Sequence, residues 1–186
     1  SNYNSINQFG NNGDKIIKAL FKGFSTFSIG KAGITAICPG NNQQLAANEN
    51  GLAYQWQVNS GSGFVNLVNN AFYTGTNTQT LTLINAPTNW YGNKYRCVIN
   101  NSEGTHYSLE YLIKFALSWM GSSNNEWENI VNWGCGYLPD ENTDVFIKTG
   151  AAFYPSVNAP ASIRSLTLQS GAAVNIQTGV ALIILQ

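Results

Sequence analysis

Two stretches of this chain alternate with a period of two, and that pattern restricts the fold more than any other feature. Leu52, Tyr54, Trp56 and Val58 fall on one face of an extended segment, with Ala53, Gln55 and Gln57 opposite. Farther on, Tyr95, Cys97 and Ile99 repeat the pattern, with Lys94, Arg96 and Val98 between them. A helix would scatter these side chains around its axis, so each stretch reads as a half-buried strand. Residues 43–47, Thr80-Leu81-Thr82-Leu83 and the alternating Tyr107, Leu109, Tyr111, Ile113 and Phe115 add further strands. Asn50-Gly51, Ser60-Gly61-Ser62-Gly63 and residues 100–104 supply turns between them. About seven strands with frequent turn signals predict an all-β sandwich over residues 33–116.

Charge narrows the function. Only 10% of the residues are charged, and nine bases balance nine acids. There is no basic run, so the sequence predicts no nucleic-acid partner and no attraction to an anionic membrane. The longest apolar run, at 180–185, is too short to cross a bilayer, so no membrane insertion is expected. The N-terminus lacks the charged-then-apolar pattern of a signal peptide, and the reading preferred here is a segment cut from a longer chain. Cys38, Cys97 and Cys135 contain no C-x-x-C spacing and no adjacent histidine, which argues against zinc. One disulfide and one unpaired thiol in an oxidising, extracellular setting is the simplest account.

The order Cys38, then Tyr54-Gln55-Trp56, then Leu81-Thr82-Leu83, then Gly92-Asn93-Lys94-Tyr95-Arg96-Cys97 resembles the Ig-like domains of large bacterial surface adhesins. Proteins of that kind are typical of bacteria with a type IX secretion system. Animal Ig domains carry D-x-G-x-Y-x-C, whereas here Gly92 lies one residue farther from Tyr95 and no acid occupies the Asp position. The resemblance implies a Cys38–Cys97 disulfide with Cys135 unpaired. It also implies that Trp56 packs on that disulfide and that Tyr95 closes the corner before its strand. A secreted or cell-surface location follows from the same likeness.

The flanks are different in character. Residues 1–32 read either as the tail strand or strands of a preceding module or as an N-terminal extension. The segment Gly23-Phe24-Ser25-Thr26-Phe27-Ser28-Ile29-Gly30 resembles the last strand of such a module, and an ordinary first strand of the sandwich is the alternative. Over 15–22 helix and strand both remain open. In residues 117–186, Trp119, Trp127 and Trp133 precede short apolar runs at 144–147, 165–168, 173–176 and 181–184. Short strands separated by small-residue turns suggest a Trp-rich cap and the first coils of a β-helix, and the start resembles secreted bacterial β-helical passenger regions. A second small sandwich is the alternative. The three tryptophans fit no single helix or strand face, and are expected to cover the first coil.

No reaction is legible. His106 is the only histidine, is expected at the surface, and has no nucleophile motif beside it. The acids are dispersed. Asp140, Glu141 and Asp144 offer closely spaced oxygens that a calcium ion could use, without the Gly and terminal Glu of an EF-hand loop. An acidic turn leading into a strand explains them as well, and no other cofactor is expected. Trp90, Tyr91 and Tyr73 are the aromatic candidates for ligand contact, because flat rings stack on sugar faces. The expected function is a non-catalytic fragment of a secreted adhesin, acting as spacer and adhesion module. Its partners would be neighbouring domains of a longer chain and a surface polysaccharide or another cell-surface protein. The alternative is an accessory carbohydrate-binding module of a secreted polysaccharide-degrading enzyme.

Overall fold

Alternation of apolar and polar side chains sets the strands, and one strand joins two kinds of packing. A computed structural model describes residues 33–185, so the expected strand at 23–30 lies outside the described residues. The first strands are β1 (Gly33–Ile37), β2 (Gln43–Ala46), β3 (Ala53–Asn59), β4 (Val65–Asn66), β5 (Tyr73–Thr74), β6 (Thr80–Leu83), β7 (Lys94–Asn101), β8 (Gly104–Tyr107) and β9 (Tyr111–Trp119). They are followed by β10 (Thr143–Ile147), β11 (Ser156–Val157), β12 (Ala161–Ile163), β13 (Ser165–Leu168), β14 (Asn175–Ile176) and β15 (Leu182–Ile184).

From β1 to the first half of β9 the chain builds two facing sheets. One is the antiparallel ladder β2-β6-β5. The other runs β9-β7-β3-β4, with β8 antiparallel on β7 and β1 parallel on β9. The register sets Trp56 opposite Cys97 and Val58 opposite Tyr95, so the inward residues of β3 and β7 form one apolar layer. Leu45, Leu81 and Leu83 face them from the other sheet, and Trp56, Tyr95, Ile99, Ile113 and Phe115 are fully enclosed. This is an immunoglobulin-like sandwich. The Trp56 indole N–H donates to the Thr78 carbonyl at 2.9 Å, which satisfies the one polar atom that the ring carries into the core.

β9 does not end where the sandwich ends. Its residues Tyr111–Phe115 pair with β1, and Phe115–Trp119 pair with β10 in parallel register, from Phe115 opposite Thr143 to Trp119 opposite Ile147. The expected boundary at 116/117 therefore falls inside a single strand. The large sheet continues past the sandwich in the order β13-β10-β9-β7-β3-β4.

From β10 onward every ladder is parallel. β10 pairs with β13, β11 with β14, and β12 with β15. The chain thus passes three corners and then repeats them one layer higher, which gives two stacked coils. Hairpins of a second sandwich would have produced antiparallel ladders instead. Val145, Ile147, Val157 and Ile163 of the first coil are buried, and the residues stacked on the last three are Leu168, Ile176 and Ile184.

The segment between β9 and β10 folds over the coil interior. Trp119, Trp127 and Trp133 are each 3% exposed, and Trp133 meets the other two edge-to-face at 5.0 and 4.7 Å. The Trp119 indole N–H donates to Phe153 O and that of Trp133 to Trp127 O, both at 2.7 Å. Gly121 sits at φ +55, where any Cβ would run into the Phe153 carbonyl that Trp119 uses. The three rings cover the first coil, as their spacing suggested.

Candidate functional site

The cysteines pair differently from the expectation. Cys38 is bonded to Cys135, with 5.7 Å between their Cα atoms, and Cys97 is a free, buried thiol. The reason lies in topology. A bond across the sandwich needs one cysteine on each sheet, but the strand that faces β7 from the opposite sheet, β2, carries Leu45 at its buried position. Cys38 instead lies just beyond β1, in the connection to β2, at the end of the sandwich where β9 leaves for the coils. Cys135 approaches from the tryptophan segment with φ +67, held in a short 3-10 turn. Trp56 therefore packs beside a thiol and no disulfide. Burial pushes the Cys97 thiol up to about 11.

The Tyr95 hydroxyl meets that of Tyr73 on β5 of the facing sheet: the two oxygens lie 3.2 Å apart. Burial pushes both phenols upward, and for Tyr95 the hydrogen bond shared with Tyr73 adds to the effect. Tyr73 stacks on Trp90 with centroids 5.0 Å apart and planes 10° apart, and Phe72 meets Trp90 edge-on at 5.9 Å. Tyr73, Trp90 and Tyr91 are all half-buried and packed on the sandwich core. The structure places Tyr73 and Trp90 together as a plug at one end of the sandwich, each using one ring face on the other.

Tyr91 points elsewhere. Its hydroxyl donates to Asp144 Oδ2 at 2.8 Å, and Ser165 donates to Asp144 Oδ1 at 2.5 Å. The guanidinium carbon of Arg164 lies 4.1 Å from the centre of the Tyr91 ring. Nearby, Asp140 accepts from the Thr88 hydroxyl at 2.5 Å through Oδ2 and from the Thr143 hydroxyl at 2.8 Å through Oδ1. Asn142 N donates to the same Oδ1 at 3.0 Å. Tyr91 and Thr88 belong to the sandwich turn before β7, whereas Asp140, Asp144, Ser165 and Arg164 belong to the coils. The two aspartates thus clasp one half of the molecule to the other. The calcium reading is corrected accordingly, since their carboxylate oxygens already accept from hydroxyls and Glu141 is exposed. Among the described residues, no group of three or more His, Cys, Asp or Glu is placed to hold a metal ion.

His106 pairs with Ile99 and so lies on the inner side of β8, half-buried, with Nε2 enclosed and without a partner among the described residues. The surface position expected for it is not what the register gives. An open cleft of about 440 Å³ lies between the tryptophan segment and the first coil, lined by Trp127, Glu128, Pro139, Glu141 and Pro160 among others. Glu128 Oε1 accepts from Ala159 N at 3.2 Å. No histidine, cysteine or base joins the carboxylates there, so the cleft offers no acid–base pair of unlike groups.

One residue escaped the sequence reading. Asn132 is fully buried. Its Oδ1 accepts from Ser123 N at 3.0 Å, and its Nδ2 donates to Asn124 Oδ1 at 2.7 Å and to Glu126 O at 3.0 Å. It ties the loop that gathers the tryptophans, and in a chain so rich in Asn its position next to Trp133 was the only signal.

A family described as a Domain of unknown function (DUF8693) matches residues 118–186. The chain is similar in structure to the Down Syndrome Cell Adhesion Molecule (DSCAM) isoform 1.30.30, N-terminal eight Ig domains, at 20% identity and a TM-score of 0.40. It is similar also to Dscam1 isoform 1.9, N-terminal four Ig domains, at 20% identity and a TM-score of 0.39. Each match covers 47% of this chain, and 12% and 24% of those chains respectively. No curated protein sequence matches the chain. Among the described residues, no helix is long and apolar enough to cross a membrane.

Proposed function

We propose that this chain is a non-catalytic segment of a secreted bacterial cell-surface adhesin, in which the sandwich is a rigid spacer and adhesion module and the coils open a longer β-helix. The observation that carries the reading is the sharing of β9. A spacer has to hold its neighbours at a fixed angle, and a strand running unbroken from Tyr111 to Trp119 through both kinds of packing leaves no linker to bend. The Cys38–Cys135 bond and the Asp140 and Asp144 clasps act at the same joint. The disulfide supports an oxidising, extracellular setting. The sequence resemblance to bacterial adhesin modules supports the rest, and the exposed apolar residues of the second coil support a further layer above it.

Calorimetry of the oxidised protein tests the rigid joint. One cooperative transition, with the coil tryptophans and the sandwich losing structure together, is the expected result. Two separated transitions would overturn the spacer reading. Incubation with a polysaccharide panel tests the non-catalytic part, and release of reducing ends would end it.

A further inference from the structure

From residue 33 to 185 the chain has five bases and eight acids. The bases are not spread evenly. Lys94 and Arg96 alternate with the buried Tyr95 and Cys97 and so face outward from β7. Lys94 pairs with Leu112, which puts Lys114 on the same outer face of β9, since it too alternates with buried neighbours. Lys148 continues the outward parity of Asp144 and Phe146 beyond β10, and Arg164, in the corner just before β13, is brought to that side by its contact with Tyr91, whose hydroxyl bonds the outward Asp144. All five therefore lie along the outer side of the one sheet that spans sandwich and coils. Only Glu110, 4.0 Å from Lys94, and the clasped Asp144 oppose them there. The other six acids of these residues lie elsewhere.

Aromatic rings interleave with these charges. The Arg96 guanidinium is held between Phe64 and Tyr107, 3.9 and 4.2 Å from the two ring centres, and its Nε donates to Gln57 Oε1 at 2.9 Å. Tyr91 lies under Arg164 at 4.1 Å and Lys114 at 5.7 Å, and Phe146 under Lys148 at 5.9 Å. No acid among the described residues pairs with Arg96, Lys114, Lys148 or Arg164. From Tyr111 to Trp119, β9 alone gives this band a length of about 26 Å.

We propose that the outer face of the continuous sheet binds an extended acidic polysaccharide, with Arg96, Lys114 and Arg164 pairing its carboxylates and the exposed ring of Tyr107 lying against a sugar face. Cations steadied over aromatic rings keep their outer N–H groups free for anions, and the amide of Gln57 beside them suits hydroxyls. A folded sheet face also presents this array without an ordering cost. A single-stranded nucleic acid has the same two needs, but its charge at every residue calls for a denser basic groove than three to five cations alternating with rings. The proposal names the ligand class for the adhesion role above and rests on it. Its test does not involve the rigid joint, so either can fail alone.

Affinity electrophoresis of the oxidised protein decides the matter, with polygalacturonate, neutral dextran and poly(dT) as probes. Retardation by polygalacturonate, absent with dextran and weakened by salt, is expected. Arg96→Ala and the double variant Lys114→Gln/Arg164→Gln should each weaken binding about tenfold, the loss of charge-assisted hydrogen bonds. Asn41→Glu/Gln44→Glu, which lowers net charge as much as the double variant but on β2 and the connection leading into it, should bind like the native protein. Circular dichroism confirms folding, and the Gln variant still decides if Arg96→Ala unfolds. Failure of native protein to bind polygalacturonate, equal retardation by dextran or poly(dT), or equal loss in the Asn41/Gln44 variant would each overturn the proposal.

Discussion

In the sandwich, Trp56 and Tyr95 are enclosed by strands far apart in sequence, brought together as two facing sheets. In the coils, Ile147 and Ile163 are enclosed by the layer that follows immediately in the chain. The first kind of core closes on itself. The second closes one layer at a time, and Leu168, Ile176 and Ile184 of the upper layer are 45%, 46% and 42% exposed while the residues beneath them are buried. One end of the coil stack is closed by the tryptophans and by β9, so its stability depends on its neighbour. A core made of layers borrows order from whatever lies beside it, and here that is the sandwich.

Breaking the staple between the two regions should have the largest effect. Cys38→Ser/Cys135→Ser opens a loop with sequence separation 97, worth about 4–5 kcal/mol in the chain-entropy account. Denaturant unfolding measures the loss, and non-reducing peptide mapping should recover Cys38 joined to Cys135. A Cys38–Cys97 peptide would return the molecule to the pairing that the sequence suggested. Next comes Trp133→Ala, which removes the ring at the centre of the tryptophan cluster and should cost about 3–5 kcal/mol. If the coils lean on the sandwich as described, hydrogen exchange in that variant rises first in β10 to β13 and last in β3 and β7.

A smaller effect belongs to the sandwich alone. Because the Cys97 thiol is raised to about 11 from an ordinary 9.0, the unfolded chain loses its proton first as pH rises. Stability is then intact below about pH 9 and falls between 9 and 11, by about 2–3 kcal/mol. Cys97→Ala should show a flatter pH profile across that window in thermal melts, while Tyr73 and Tyr95 act alike in both proteins. The smallest change concerns the clasp. Asp144→Ala leaves the Tyr91 and Ser165 hydroxyls without their acceptor, at a cost of about 1–2 kcal/mol. Exchange should quicken at β10 and leave β3 unaltered, and equal quickening in both would mean that the clasp serves the whole fold.

Local chemistry was enough for much of this. The period-two runs at 52–58 and 94–99 became β3 and β7, because an alternating strand has only one way to bury its apolar face. Likewise, Trp119, Trp127 and Trp133 were readable as a cluster because large rings placed on no common face must be gathered by a folded loop. Tertiary structure alone decided the rest. Which cysteine meets Cys38 depends on where β1 ends relative to β9, and pairing across a fold leaves no mark in local sequence. Tyr91 and Trp90 are neighbours in the chain, yet one plugs the sandwich and the other clasps the coils, since successive residues in a turn diverge. The gathering of every described base on one sheet face was invisible in a balanced overall charge. Lys94, Lys114, Lys148 and Arg164 lie on separate segments, and only the antiparallel pairing of β7 with β9 and the parallel continuation of β9 into β10 and β13 set them side by side.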